Sequence, residues 1–462
     1  MPKITTSIIP EKQTVVAIKG EPESLDLKAI CVYIATGFFL DNDTFWKHKK
    51  VLRPGTENVL DENGYLVSSS QYFNWVYNPD ETLSFSDTVD AFGELFEGVI
   101  NRQVEDKKVI LPLSGGLDSR TQAVALHKLG KEVSSYSYSF KNGYPEGKIG
   151  KAIANQCNFE FEEFIIQPNY LWSNIERLAK INECYSEFTH PRQMALIDHY
   201  SKMGDVFSLG HWGDVLFNDM EVPKHLDVVQ QVEVLFKKVV KPSGMQLAQK
   251  LWKHYGFEGE FKDYLFQRVK MLHQAIDIED DANARIRAFK SIYWAPRWTS
   301  INLNVFSEVK PITIPYYDNE ICKFICKIPE SYLAKRAIQI EYIKRRNPAL
   351  AKIVWHQEKP FNLYTYNYNK SPYNLPYRVY SKLNRMRKAI MQKPLVQRNW
   401  ELQFLDDSSQ LELKDYIFQN SIVPKELISE VHNNFNQKDK VYHAHAVSML
   451  LTLSLWDKLY NK

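Results

Sequence analysis

The sequence predicts an α/β fold, a doubly wound parallel sheet with additional helices, preceded by a small β-rich N-terminal region. One observation is an apolar run at 109–113 that ends in a glycine loop and is followed by an amphipathic helix over 117–129. A second is that strand-like and helix-like segments alternate along the following hundred residues. In sheets of this kind, ligands bind beyond the carboxyl ends of the strands.

The further elements follow from hydrophobic periodicity. A helix is predicted over 86–101, where apolar residues recur at helical spacing. Strands are predicted at 133–140, 159–166 and 205–209, with a helix starting at 146. Residues 220–310 are predicted to be helical, as are the segments 424–433 and 442–459.

The N-terminal part is predicted to be rich in strands. The run 29–35 is apolar and β-prone, and aromatic residues follow the turn signals Pro54-Gly55 and Asn63-Gly64 up to Tyr77. Residues 78–81 are a predicted linker. We therefore expect one domain over 1–82 and a second over 83–462.

Composition narrows the class of protein. The chain has 462 residues, 44% hydrophobic and 24% charged, with a formal net charge of +3, which is typical of a globular protein and too mild to argue for nucleic acid. No signal peptide or membrane span is evident, and the five cysteines are scattered, so a cytoplasmic enzyme with reduced thiols is expected. Core thiols are favoured over a zinc site for Cys322 and Cys326.

The loop from Ser114 to Ser119, Ser-Gly-Gly-Leu-Asp-Ser, has the features of an anion site. Two glycines expose backbone N–H groups at a helix N-terminus, and two serines add hydroxyl donors. A carboxylate, Asp118, beside a bound phosphate needs a cation between them, usually Mg²⁺. The loop differs from the Walker and dinucleotide patterns, and it predicts a site for a magnesium nucleotide.

A second loop follows the predicted strand 205–209. It reads Gly210-His211-Trp212-Gly213-Asp214 and also carries a carboxylate. Both loops should lie at the same edge of the sheet, so Asp118 and Asp214 are candidates to share one metal ion. The alternative is that Asp214 is an ordinary turn carboxylate.

From Lys359 to Trp400 the sequence has no acidic residue and is rich in lysine, arginine and tyrosine. A segment of one charge sign favours an anionic partner. A solvated helix preceded by a loop rich in proline and asparagine is the alternative. Stacking on nucleic-acid bases is less favoured, since no RNA-binding motif accompanies the tyrosines.

Together these motifs resemble the asparagine synthetase superfamily, whose members carry a PP-loop like that of the ATP pyrophosphatases. The resemblance rests on the motifs at 113–119, 210–214, 315–318 and 359–361, in that order, and covers roughly residues 85–460. Around residues 36–55 the chain also resembles the end of that family's glutaminase domain, here truncated.

The resemblance implies that ATP adenylates a substrate carboxylate, with release of pyrophosphate, and that ammonia or an amine then attacks the adenylate. ATP and Mg²⁺ are the implied cofactors, with Asp118 and Asp214 as the metal ligands. Lys359 would stabilise negative charge on the phosphates and on the tetrahedral intermediate. The implied nucleotide-binding residues are Leu113, Ser114, Gly115, Gly116, Asp118, Ser119, Ser139, Leu209 and Gly210.

The sequence departs from the family's pattern in three places. The chain begins Met1-Pro2, where glutamine-dependent relatives have a cysteine nucleophile, so no glutamine hydrolysis is expected. His211 and Val215 stand where the synthetases usually carry glutamates. An aliphatic residue at the position of Val215 resembles the pattern of the β-lactam synthetase branch. Enzymes of that branch close an amide with an amine already on the substrate. His211 is a candidate general base, and a buried structural histidine is the alternative.

The predicted function is therefore an ATP-dependent, amide-forming carbon–nitrogen ligase that does not hydrolyse glutamine. Its substrate would be a small-molecule or peptide carboxylate, and the basic segment 359–400 would suit an anionic one. A separate partner is a candidate source of ammonia or amine. The alternatives are an intramolecular amide cyclase of the β-lactam type, and a non-catalytic nucleotide-binding relative that acts as a partner subunit. A nucleic-acid-modifying enzyme fits the later motifs poorly.

Overall fold

A five-stranded parallel sheet forms the centre of the protein in the computed structural model, which describes residues 1–145, 147–390 and 395–461. The strand order is β10-β9-β6-β7-β8, and each neighbouring pair is parallel. The strands are β6 (Val109–Pro112), β7 (Val133–Phe140), β8 (Glu160–Ile166), β9 (Val206–Ser208) and β10 (Ile312–Thr313). The predicted parallel sheet is confirmed, and the four predicted strands are β6 to β9.

The chain reverses its direction of travel across the sheet at β6. From β6 it moves outward to β7 and β8, and it then returns to place β9 on the other side of β6. The gap between β6 and β9 is therefore a topological switch point, where open α/β sheets bind ligands. The connecting helices are α2 (Phe85–Val104), which precedes β6, α3 (Leu117–Lys128), α4 (Gly147–Gln156), α5 (Tyr170–Asn182), α6 (Ile197–Tyr200) and α7 (Gly213–Leu216).

The N-terminal region holds two small antiparallel sheets. Their orders are β1-β4-β5 and β2-β3. The elements are β1 (Lys3–Thr5), β2 (Val15–Ala17), α1 (Leu27–Thr36), β3 (Lys49–Val51), β4 (Thr56–Leu60) and β5 (Leu66–Gln71). The aromatic run 71–77 is predicted to be a strand. Of this run, only Gln71 belongs to β5.

The predicted strand at 29–35 is wrong, because these residues form α1. Asp26 caps the helix by accepting a hydrogen bond from the Ala29 backbone, and Gly37 ends it in a left-handed conformation with φ of 82°. Every residue from Ala29 to Thr36 is buried. A helix buried on all sides shows no polar stripe, so its apolar run cannot be told from a buried strand by periodicity.

The remainder of the chain is mostly helical, as predicted for 220–310 and for the C-terminal segments. The helices are α8 (Val228–Val239), α9 (Pro242–His254), α10 (Phe261–Gln274), α11 (Ala282–Phe289), α12 (Ser300–Ser307), α13 (Asn319–Ile325), α14 (Glu330–Leu333), α15 (Ala337–Arg346), α16 (Pro348–Ala351), α17 (Leu375–Ile390), α18 (Asn399–Phe404), α19 (Asp407–Ile417), α20 (Lys425–Gln437) and α21 (Lys440–Tyr460). A π-helix, Lys290–Thr299, joins α11 to α12.

One hydrophobic core runs from the N-terminal region to the last helix. Phe45 stacks on Trp456 of α21 with ring centroids 4.1 Å apart, and Tyr33 of α1 stacks on Phe39 at 4.4 Å. The division into domains at residue 82 stays a prediction. All five cysteines are buried and free, including Cys322 and Cys326. Among the described residues, no helix has both the length and the apolar character needed to span a membrane.

Candidate active site

The Ser114–Ser119 loop connects β6 to α3 at the switch point. Gly116 is the N-cap of α3 and supplies no side-chain cap, so the first N–H groups of the helix are left for another acceptor. The two serine hydroxyls lie 3.2 Å apart, and the backbone N–H of Gly116 donates to the Ser114 hydroxyl at 3.2 Å. The loop therefore presents hydroxyl and backbone donors together at a helix N-terminus.

Gly115 packs this loop against a segment far along the chain. A Cβ atom at Gly115 would lie 2.8 Å from Cβ of His356, so no larger residue fits without a shift. The His356 backbone donates to the Gly115 carbonyl at 3.1 Å. The buried guanidinium of Arg120 donates to the carbonyls of Ile353 and Val354 at 3.0 and 2.8 Å. These contacts hold the segment before Lys359 beside the loop.

The carboxylate of Asp118 lies in a cluster of polar side chains. The Arg336 guanidinium donates to it, and the Gln339 amide donates to it at 3.2 Å. Burial and the nearby negative charge of Asp214 raise the pKa of Asp118 to about 6, against the opposing effect of Arg336. The charge of Asp214 is thus one of those that act on Asp118.

Gly213 lets the second loop approach Asp118. A Cβ at Gly213 would lie 2.2 Å from Oδ1 of Asp118 and 2.8 Å from Cζ of Tyr316. Gly210 is also close, since its Cβ would be 3.1 Å from the Ser119 backbone nitrogen. The glycines of the second loop thus allow it to pack directly on the first turn of α3.

A cleft of about 290 Å³ opens between the two loops. Seven of the predicted site residues line it, together with residues of β7 and with Arg192. The seven are Leu113, Ser114, Gly116, Asp118, Ser119, Gly210 and His211. The cleft brings together one carboxylate, a helix N-terminus and several hydroxyls. These groups are suited to bind a nucleoside triphosphate with its metal ion.

The other predicted residues lie around this cleft. Ser139 lines an adjacent pocket of about 310 Å³ that shares Tyr138 and Arg192 with the cleft. Leu209 is fully buried beneath it. Asp214 is exposed on the first turn of α7, and Lys359 is half-buried three residues after the contact of His356 with the loop.

His211 lines the cleft, and its role as a general base stays a prediction. Burial lowers the pKa of its imidazole to about 4, although Asp214 opposes the shift. The ring is therefore neutral at pH 7 and is a weak base, not one poised near neutrality. Its Nδ1 is buried and has no hydrogen-bond partner among the described residues.

Sequence reasoning missed several side chains of the site. Arg336 lies 218 positions after Asp118 and has no local motif. Gln339 is on α15, and it donates at 2.9 Å to the hydroxyl of Tyr316, a residue of the predicted 315–318 motif. Lys290 lies 5.7 Å from the ring centroid of Trp212, and burial lowers the pKa of its amine to about 8, against the effect of Asp214. None of these residues follows a strand end of the sheet in sequence, so strand–loop–helix patterns do not point to them.

The donor set fits Mg²⁺ bound together with a nucleotide. Among the described residues, no cluster of three or more His, Cys, Asp or Glu side chains is suited to hold a metal alone. Mg²⁺ usually keeps several waters and takes one or two carboxylates along with substrate phosphates. Asp118 and Asp214 would supply two carboxylates to such an ion.

We compared the chain with family models, curated proteins and solved structures. No curated protein matches the sequence. One solved structure, NMN synthetase from Francisella tularensis, is 16% identical and covers 45% of this chain and 93% of its own, but its TM-score of 0.23 is too low to support an argument. Residues 91–295, the segment that contains both loops, match the model of the asparagine synthase family, so this part of the chain is similar to the asparagine synthetases.

Proposed function

We propose that this protein is an ATP-dependent, amide-forming ligase that adenylates a carboxylate and releases pyrophosphate. One observation carries the proposal: the Ser114–Ser119 loop and the Gly210–Asp214 loop meet at the ends of β6 and β9, where a Cβ at Gly213, next to Asp214, would lie 2.2 Å from Oδ1 of Asp118. The asparagine synthase match over 91–295 supports an ATP-dependent amide ligase family. The AMP- and pyrophosphate-forming step is our proposal.

The chain's own groups suit the binding of a leaving pyrophosphate. The N-terminus of α3 and the hydroxyls of Ser114 and Ser119 would donate to phosphate oxygens. Asp118 and Asp214 would hold Mg²⁺, which supplies charge neutralisation for phosphate oxygens when bound. Lys359 would add a cation beside the same oxygens, from the segment that His356 anchors to Gly115.

A larger cavity of about 750 Å³ is our candidate for the carboxylate substrate. Arg336 connects it to the nucleotide cleft, because this side chain lines the cavity and also contacts Asp118. Lys335 and Lys370 add cations, while Asp219, Glu221 and Glu358 add carboxylates. This mixture suits a substrate that bears a carboxylate and also hydroxyl or amine groups.

Two lining residues support a polar ligand in this cavity. Nε1 of Trp355 and Oδ1 of Asn218 are buried and lack hydrogen-bond partners among the described residues. Buried polar atoms normally have partners, and an unmade bond costs about 1–3 kcal/mol. One donor and one acceptor are therefore available to a ligand that carries both functions.

The test is pyrophosphate release from ATP and Mg²⁺ with a panel of carboxylates, each combined with ammonia, glutamine or an amine. Release of AMP and pyrophosphate in equal amounts, only when a carboxylate is present, supports adenylation. Release of ADP and phosphate would contradict it. A product formed from a carboxylate that carries its own amine, with loss of water, would identify intramolecular closure.

The second candidate is a nucleotide-binding partner subunit without catalysis. The pairing of Asp118 with Arg336 and Gln339 favours it, because the carboxylate already has cationic and amide donors. Calorimetry separates the two candidates. Binding of ATP that is the same with and without Mg²⁺, with no pyrophosphate from any substrate, would support the binding role and exclude the ligase.

A further inference from the structure

Helix α17 is exposed on almost its whole circumference. Among its side chains from residue 375 to 387, only Tyr377 and Ser381 are partly buried. These two are one helical turn apart, so they define the side that faces the protein. Just before the helix, the buried Asn374 fixes its start, donating to the side chain of Asn369 at 3.1 Å.

The side of α17 that faces away from the protein is apolar. Leu375, Val379, Leu383 and Met386 have fractional exposures between 46% and 59% and recur at intervals of four, four and three. At 3.6 residues per turn, this spacing aligns them on one face, opposite Tyr377 and Ser381. A contiguous exposed apolar stripe of this length indicates a binding surface.

Cations border this apolar stripe. Arg378, Lys382 and Arg385 are exposed and lie along one edge, at spacings of four and three. Arg387 and the exposed Tyr380 lie along the other edge. No acidic residue occurs anywhere between Lys359 and Trp400. The face therefore combines an apolar centre, cationic edges and a tyrosine at its boundary.

We propose that α17 attaches this protein to an anionic lipid surface by lying in the plane of the bilayer interface. A helix in that position buries an apolar face at the level of the acyl chains while its cations meet anionic headgroups. Tyrosine is enriched at the same depth. A nucleic acid offers phosphates but no apolar layer for Val379, Leu383 and Met386. Charge complementarity together with the apolar centre therefore selects a bilayer.

The test is co-sedimentation of the full chain with vesicles of phosphatidylcholine alone or enriched in phosphatidylserine. Binding is expected only with the anionic vesicles, and it should weaken as salt screens the headgroup charge. The triple variant Arg378→Gln/Lys382→Gln/Arg385→Gln should bind about a hundredfold more weakly, since each cation contributes about fivefold. Ligase activity should be unchanged, because these residues lie outside both clefts.

A second variant tests the apolar stripe itself. Val379→Ser/Leu383→Ser/Met386→Ser should lose at least about tenfold in affinity for the anionic vesicles, although it keeps all cations. The matched control replaces three exposed apolar residues of other helices, Val229→Ser/Met271→Ser/Leu411→Ser, and should bind like the unaltered protein. Circular dichroism and unfolding midpoints check that each variant is folded.

Three outcomes would overturn the proposal. The unaltered chain could stay in the supernatant with anionic vesicles. Both α17 variants could bind as tightly as the unaltered protein. Light scattering could instead reveal a dimer that the Val379, Leu383 and Met386 changes dissociate, which would make the stripe an interface between two copies of this chain.

Discussion

The guanidinium of Arg336 donates to the carboxylate of Asp118, and the same guanidinium donates to Oε1 of Gln339. Arg336 is buried and has a positive φ of 65°, as does Lys335 before it at 55°. Non-glycine residues in this conformation are uncommon and are held there by their surroundings. The contact therefore joins the nucleotide loop to the wall of the larger cavity through one constrained side chain.

The pairing of Arg336 with Asp118 predicts a measurable energetic coupling. Single changes, Asp118→Asn or Arg336→Gln, each remove the ion pair, so the double variant should cost less than the sum of the two. We expect a coupling of about 0.5–3 kcal/mol in the free energy of unfolding, as for other contacting residues. Chemical denaturation of the four proteins measures it. Additivity within about 0.5 kcal/mol would contradict the contact.

Asp118→Asn should also abolish most of the ligase activity. The loss of a carboxylate metal ligand removes several kcal/mol of charge stabilisation, so turnover should fall about 100-fold or more. Pyrophosphate release at saturating ATP measures this loss. Asp263→Asn, at an exposed position of α10, is the matched control and should retain full turnover. Full turnover in Asp118→Asn would exclude the proposed metal role.

Asp214→Asn should raise the Mg²⁺ concentration needed for half-maximal activity. Asp214 is exposed, and it would supply the second carboxylate for a metal ion near Asp118. Removing one of two carboxylates weakens binding of a hard cation, which prefers oxygen ligands. A Mg²⁺ titration of pyrophosphate release tests this, with the exposed Asp198→Asn as control. An unchanged titration curve would leave Asp214 as a turn carboxylate.

Gly213→Ala tests the close approach of the two loops. The added methyl would lie 2.2 Å from Oδ1 of Asp118, so this carboxylate or the second loop must move. Activity should fall at least about tenfold, and overpacking should cost about 1–3 kcal/mol of stability. Gly98→Ala in α2 is the control, with no heavy atom within 4 Å of the new Cβ. It should stabilise the protein by about 0.5–1 kcal/mol, since alanine favours a helix.

The parts of the fold predicted correctly are those with local signals. β6, its glycine loop and α3 follow one another within twenty residues, and apolar alternation against serine marks β7. By contrast, α1 is buried on all sides, which removes the helical stripe that would distinguish it from a strand. For the basic segment that contains α17, the sequence leaves two interpretations, a surface for an anionic partner and a solvated helix. Only the structure shows which face of α17 meets the protein.

In the candidate site, too, the residues predicted correctly are those with a local sequence signal. Ser114, Asp118, Gly210 and His211 follow strand ends and were found from sequence, and they line one cleft. Arg336 comes from a segment 218 positions away, and tertiary packing alone brings it to Asp118. The pKa of His211 also depends on tertiary burial, which a sequence motif does not report.

His273 predicts a loss of stability in mild acid that is independent of the active site. Its side chain is fully buried, and Nε2 lies 2.9 Å from Oε1 of Gln231. The Gln231 oxygen can only accept, so Nε2 carries the proton and donates. Nδ1 is then unprotonated and has no partner among the described residues, so protonation would bury an unpaired donor.

Burial, reinforced by the nearby Arg285, lowers the pKa of His273 from 6.5 to about 4. Between these values the unfolded chain binds a proton that the folded protein does not, so stability is complete above pH 6.5 and falls as the pH drops towards 4. From about pH 7.5 to about pH 5, this one histidine should cost about 2 kcal/mol of unfolding free energy. His273→Gln keeps a donor for Gln231 but does not titrate, and it should lose about that much less than the unaltered protein over the same interval. Urea denaturation at both pH values measures the difference, and equal losses in the two proteins would contradict the assignment.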